Sequence, residues 1–256
     1  MNISLVTLIK ALTEAGIGSR RKMADAIKNG KVKVNYKVVE DFRHPINPET
    51  DRVTVSGKIV DLKPRRTVYL MVNKPSGIIT TTNDERGRRT VMDILPERYR
   101  HLRLYPVGRL DKDSTGLLLM TNDGDLTYRL THPKFEHEKE YLIQIASALK
   151  PDDKRKLEKG IKLEDGMTYP VIIKDMKDIP PFNYSIITHE GRKRQVRRML
   201  ASLGYLVLAL RRVRMGSLDL GKLREGAARE LTDAEIGVLL STKTNFAARL
   251  EDRKRY

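Results

Sequence analysis

The stretch Val107–Asp125, VGRLDKDSTGLLLMTNDGD, sets a charged loop between two apolar segments, and the reading of the whole chain turns on it. Leu104, Tyr105 and Val107 read as the end of a strand. Gly116–Thr121 (GLLLMT) reads as a buried strand, and Asn122-Asp123-Gly124 turns the chain after it. Asp111 therefore sits in a loop anchored on both sides, with Arg109 two residues before it and Asp113 two after. A carboxylate in that setting is either a catalytic group or an acceptor that staples the loop, and spacing alone leaves both open.

The longer string GRLDKDSTGLLLMTNDG resembles the active-site motif of the pseudouridine synthases, in particular the branch that acts on ribosomal RNA and carries an N-terminal S4 domain. NKPSGIITT (Asn73–Thr81), HPKFEHEKEYLIQI (His132–Ile145) and EGRKRQVRRMLASLG (Glu190–Gly204) accompany it in the order that family shows, so the resemblance spans most of residues 67–241.

Composition is consistent with such a protein but does not select it. The chain has 256 residues, room for about two domains. Fifty Lys and Arg against 33 Asp and Glu leave a net charge of +17, which favours a polyanionic partner: RNA, DNA or an anionic membrane face. A merely basic, ribosome-associated protein would look the same. The absence of cysteine excludes disulfides and Cys-ligated zinc, and agrees with a reducing compartment. The longest apolar run, Leu206–Leu210, is far below the ~20 residues of a membrane span. Lys10 and Glu14 interrupt the apolar region a signal peptide would need, so a cytoplasmic protein without a membrane partner is expected.

Along the chain, Leu5–Ala15 is apolar at helical spacing, Gly16-Ile17-Gly18 breaks it, and Ser19 is placed to cap a second helix, Arg20–Lys28. Val32 and Val34 alternate with Lys31 and Lys33 as a short strand with a basic face. Gly16–Val39 resembles the core of an S4 RNA-binding domain, and that resemblance makes Arg20, Arg21, Lys22, Lys28 and Lys33 candidate RNA contacts. Tyr36 stands where such domains commonly have Gly, and the first helix lacks their usual Arg-Leu-Asp opening. The same cations also fit a plain solvated face.

The expected organisation is an S4-like α/β domain over residues 1–60, a linker at 61–66, a catalytic domain over 67–241 and a basic tail at 242–256. Strands are expected at Thr67–Val72, Leu104–Val107, Gly116–Thr121, Glu140–Ala146, Pro170–Lys174 and Tyr184–Thr188. Helices are expected at Val91–Ile94, Asp125–Leu130, Pro151–Lys159, Gln195–Leu203 and Asp233–Leu240. Strands outnumber helices without strict alternation, which predicts an α+β fold on a mixed, mostly antiparallel sheet.

Pseudouridine formation breaks the bond between ribose C1′ and uracil N1, turns the base and joins C1′ to C5, adding and losing nothing. It demands one carboxylate and no redox, metal or nucleotide cofactor, and the sequence offers no P-loop, GxGxxG or paired His ligands. The resemblance assigns the carboxylate role to Asp111, as nucleophile or as base. On a helical wheel of Gln195–Leu203, Val196, Met199, Leu200 and Leu203 form one face, and Arg197 lies about 110° from its centre. Arg197 can thus border a buried cleft, while Arg194 and Arg198 point outward. The resemblance makes Arg197 the basic partner of Asp111; a surface arginine is the bland alternative.

By spacing, Tyr141 at the start of a strand fits the core; the resemblance puts it beneath the target uracil. Arg109 matches the arginine that enters the RNA as the uridine leaves its stack. Asp111-Lys112-Asp113 has the look of a metal site, but Lys112 between the carboxylates and the lack of a third acid favour Asp113 as a loop residue supporting Ser114 and Thr115. Lys74 either positions RNA or the active-site loop, or is a solvated strand end. The expected protein is a monomeric, cofactor-free isomerase of a specific uridine in ribosomal RNA, with the large-subunit RNA preferred. An RNA-binding assembly factor and a metal-dependent nuclease are the rival readings.

Overall fold

The computed structural model describes residues 5–241, and the expected tail at 242–256 lies outside them. The chain divides into two compact units, Met1–Thr67 and Val68–Tyr256.

In the first unit, helices Leu8–Glu14 and Arg20–Lys28 pack Leu8, Ile9, Leu12, Met23 and Ile27 against Val32, Val34 and Val53 of a four-stranded antiparallel sheet. The first helix starts later than its apolar pattern, because Val6–Thr7 pairs as a strand with Pro45–Ile46. Ser19 caps the second helix as expected, its hydroxyl accepting from the Lys22 amide at 3.1 Å. Arg20, Arg21, Lys22, Lys28 and Lys33 are all exposed. The Asp61–Arg66 stretch, expected as a linker, is packed within this unit. Leu62 is buried in its core, and Arg65 donates from its backbone amide to Glu14 and from Nε to Ala15. Proline and charge mark a turn away from regular structure, not a loss of contact.

The second unit is built on a nine-stranded mixed sheet. Its main path runs Ile172–Asp175, Tyr184–Thr188, Lys139–Ile145, Val207–Met215, Thr115–Thr121, Tyr69–Lys74, Ala228–Glu230, with Tyr105–Val107 and Leu218–Asp219 at its side. Among the described strands, Val207–Met215 and Thr115–Thr121 form the parallel pair; the others are antiparallel. An α+β unit on a mixed sheet is the expected class. One face packs Ile143, Ile145, Tyr184 and Ile186 against Leu157 of helix Pro151–Lys159 and against Val196, Met199 and Leu200 of helix Gln195–Ala201.

Two local expectations differ from the structure. Val91–Ile94 is a series of turns, because the Asp93 carboxylate folds back to accept from the Thr90 amide and hydroxyl. The helix comes after Pro96, at Glu97–Arg100. The nine-residue strand Val207–Met215 was not expected, since Arg211, Arg212 and Arg214 break the apolar alternation that betrays a strand; yet it is the middle strand of the sheet's main path.

Gly116 is the tightest point of that centre. It pairs with Lys74 on one side and Arg212 on the other, at φ +102°, and an added Cβ would overlap the Arg212 carbonyl oxygen. Gly116→Ala is therefore expected to destabilise the second unit by about 2–4 kcal/mol. Urea unfolding would read this directly, and a loss within 0.5 kcal/mol would show that the strands can part at no cost.

Candidate active site

The Asp111 loop is held by the segment Asn73–Thr81. Lys74 ends the interior strand Tyr69–Lys74 and is fully buried. Its Nζ donates to the carbonyl oxygens of Pro75 at 3.0 Å, Lys112 at 3.3 Å and Ser114 at 2.7 Å. The Gly77 amide donates to the same Lys112 carbonyl at 2.8 Å. Thr80 holds the other side, its hydroxyl donating to the Leu110 carbonyl at 2.8 Å and accepting from the Leu110 amide at 3.3 Å. The loop then closes on itself through the Ser114 amide, which donates to the Asp111 carbonyl at 3.1 Å. Asp111 is half-buried between these clamps. Of the two sequence readings of Lys74, the solvated strand end is excluded: its ammonium is the support of the loop.

Asp113 and Arg197 correct part of the expected constellation. Arg197 is largely buried, its side chain 11% exposed, and it borders the loop as the helical wheel requires. Its closest acid is Asp113, not Asp111: Nη2 lies 3.4 Å from the Asp113 carboxylate and donates to the Asp113 carbonyl at 3.2 Å, while Nη1 donates to Val207 at 2.9 Å. Arg194, expected to face outward, makes a two-pronged pair with the same carboxylate at 3.1 Å and 3.1 Å. Burial alone would raise the Asp113 carboxyl; the Arg194 hydrogen bonds and the Arg197 charge outweigh it and hold the group below its usual range. Burial lowers Arg197; the negative charge of Asp113 opposes this more strongly than that of Asp111. The wheel missed Arg194 because that residue is in the left-handed region at φ +51°, as the helix N-cap, and not on the helix.

Beside the loop lies a cavity of about 380 Å³, within the range of small-ligand pockets. Arg109 is on its rim, exposed, and Tyr141 is in its wall, half-buried and paired across the sheet with Ile186 and Arg212. Tyr141 touches both the core beneath the Gln195–Ala201 helix and the core around Leu110 and Leu118, so core and cleft readings are both part of its setting. Lys139 and Arg212, neither singled out from sequence, line the same cavity. Strand alternation would have found Lys139, two residues from Tyr141 on the same face. Arg212 gave no signal, being one of three arginines in an unrecognised strand. The expected RNA contacts of the first unit stay with that unit. Among the described residues no group of three or more His, Cys, Asp or Glu is arranged to hold a metal ion, and no helix is long and apolar enough to cross a membrane.

Lys74 gives the site a measurable signature. Burial lowers its ammonium from 10.5 to about 8, against the pull of Asp113 and Asp111. Below pH 8 it is charged in both folded and unfolded chains; between about 8 and 10.5 the folded protein has released a proton that the unfolded chain keeps. Its contribution to stability therefore rises with pH across that window. The unfolding free energy of wild type minus that of Lys74→Met should grow by about 2 kcal/mol from pH 8 to pH 10. A flat or falling difference in paired urea titrations would mean that Lys74 is not a desolvated cation.

Comparison with known proteins identifies the family. The family model for RNA pseudouridylate synthases matches residues 68–202, and the S4 domain model matches residues 6–53. The chain is 41% identical over 90% of its length to ribosomal large subunit pseudouridine synthase B of Bacillus subtilis, covering 93% of that protein. It is 39% identical to an RNA pseudouridine synthase of Aquifex aeolicus, over 91% of this chain and 93% of that one. A crystal structure of a pseudouridylate synthase superposes with a TM-score of 0.66 at 32% identity, covering 91% of this chain and 99% of the other. With a loop built around Asp111 in the matched region and an S4 domain ahead of it, the chain belongs to the RNA pseudouridine synthases.

Proposed function

We propose that the protein isomerises a specific uridine of ribosomal RNA, in the large subunit, to pseudouridine, with Asp111 as the catalytic carboxylate. The observation that carries this reading is convergence. Lys74, Arg194 and Arg197 close on the loop that carries Asp111, and Arg109 of that loop lines the neighbouring cavity together with Tyr141. The large-subunit assignment draws on the printed name of the Bacillus subtilis relative.

In the proposed mechanism Arg109 enters the RNA stack from the cavity rim as the uridine swings out. The extruded uracil lies against Tyr141, whose ring face is sequence-tolerant contact for a base. Asp111 acts at the sugar, either adding to it or removing a proton from it, while the base is detached and turned. Arg197 serves Asp111 through the loop: with Arg194 it fixes Asp113, two residues away, and so sets where the Asp111 carboxylate points. It is a positioning residue in this scheme. The first unit supplies capture, with the exposed Arg20, Arg21, Lys22, Lys28 and Lys33 as phosphate contacts. The domain limits that go with these roles are an S4 unit followed by a catalytic unit, and the working form is taken as a monomer in the cytoplasm.

Single-nucleotide mapping of pseudouridine in cells with and without the protein tests the reading. One site in the large-subunit RNA should lose its modification completely when the protein is absent. Loss at a small-subunit site would keep the enzyme and overturn the subunit assignment. No lost site, with ribosomal particles nonetheless incomplete, would favour an assembly factor.

A further inference from the structure

Inside the cavity, next to Tyr141, the wall is cationic, and neither carboxylate of the cavity pairs with it. Arg212 is 2% exposed. Its Nε donates to the Leu117 carbonyl at 2.7 Å, and its Nη2 is buried without a hydrogen-bond partner. Lys139 lies nearby on the adjoining strand, its Nζ donating to the carbonyls of His137 at 3.0 Å and His189 at 3.4 Å. Burial, and after it the charge of Arg212, lowers the Lys139 ammonium to about 8, so the two cations feel each other. The Arg212 charge also bears on Lys74 from the far side.

Of the two carboxylates on the cavity, Glu190 is engaged by Arg192 at 2.9 Å and by Gln195 at 2.6 Å, and Glu136 is exposed at the rim. Among the described residues, Arg212 and Lys139 bond to carbonyl oxygens and make no ion pair. A buried guanidinium with an unused N–H is costly in a folded protein unless an anion meets it in the working complex.

We propose that Arg212 and Lys139 bind one phosphodiester of the RNA, on the 5′ or the 3′ side of the target uridine, at the inner wall of the cavity. The inference rests on the reading of the protein as an RNA uridine isomerase and adds a second anchor to it. A phosphodiester fits better than a uracil carbonyl. It carries a full negative charge against two full positive ones, and its paired oxygens match a guanidinium edge. The placement also suits one nucleotide: Arg212 pairs across the sheet with Tyr141, so a base resting on the ring leaves its backbone within reach of the guanidinium. Such a seat rewards only an extruded nucleotide, since a stacked one keeps its phosphates outside the cavity.

The test uses RNA fragments carrying the mapped uridine, in which the phosphodiester on its 5′ or its 3′ side is replaced by a neutral methylphosphonate. Binding is measured in an Asp111→Asn background so that the RNA is not converted. One of the two replacements should weaken binding by about tenfold or more. Arg212→Met should cost as much with natural RNA and be indifferent to that replacement, because the two changes remove the same contact. Lys139→Met, whose ammonium makes only carbonyl contacts, should show the same coupling and serves if Arg212→Met fails to fold. Equal binding of all three RNAs, or losses that multiply independently, would overturn the phosphate seat. Failure of the functional reading is separable: the protein with Asp111 intact would then leave the natural fragment unconverted, whatever the coupling.

Discussion

A single buried ammonium holds the Asp111 loop in shape. Lys74 donates to the carbonyls of Pro75, Lys112 and Ser114 from a fully buried position at the end of an interior strand, and two of those carbonyls follow Asp111 within three residues. Burying that charge lowers its pKa to about 8, a sign that the fold bears the cost of desolvation to keep three oriented donors in place. Thr80 and Gly77 add the remaining contacts to the loop. A loop on a protein surface would otherwise sample many conformations, and the role proposed for Asp111 requires a carboxylate held in one place.

Charge is used at three depths in the catalytic unit. At the loop, Arg194 and Arg197 meet Asp113 in ion pairs that shape the backbone next to Asp111. On the rim, Arg109 is exposed. At the inner wall, Arg212 and Lys139 have only carbonyls for company. The net charge of +17 is thus not one undifferentiated basic coat. Exposed lysines and arginines attract polyanion at long range and are screened by salt, whereas buried cations discriminate by whether a phosphate reaches them.

Much of this was legible in the sequence, for physical reasons that differ by element. The strand over 116–121 is an unbroken apolar run and the Gln195–Ala201 helix is apolar at helical spacing, so pattern alone located them. The wheel placed Arg197 at the edge of the buried face, and it is there. What the wheel could not give was its partner: whether an arginine meets Asp111 or Asp113 depends on the path of a loop, which no periodicity encodes. Val207–Met215 stayed hidden because buried arginines mimic a surface segment. Lys74 was ambiguous because a lysine at a strand end is exposed in most proteins, and only the carbonyls of its neighbour Pro75 and of the distant Asp111 loop make burial tolerable. The family resemblance drew attention to the NKPSGIITT string; its work as a clamp on the Asp111 loop emerged from the hydrogen bonds.

The central claim is that the rigid loop exists to present one carboxylate to a ribose. Joining C5 of uracil to C1′ releases the hydrogen on C5, so RNA labelled with tritium at that position reports the complete reaction and nothing short of it. Asp111→Asn keeps the size of the side chain and much of its hydrogen bonding while removing its charge, basicity and nucleophilicity. The most direct measurement is tritium release from ribosomal RNA by wild type and by Asp111→Asn, with RNA affinity measured alongside. The account predicts release by wild type and none by the variant at comparable affinity; release by the variant at the wild-type rate would contradict it.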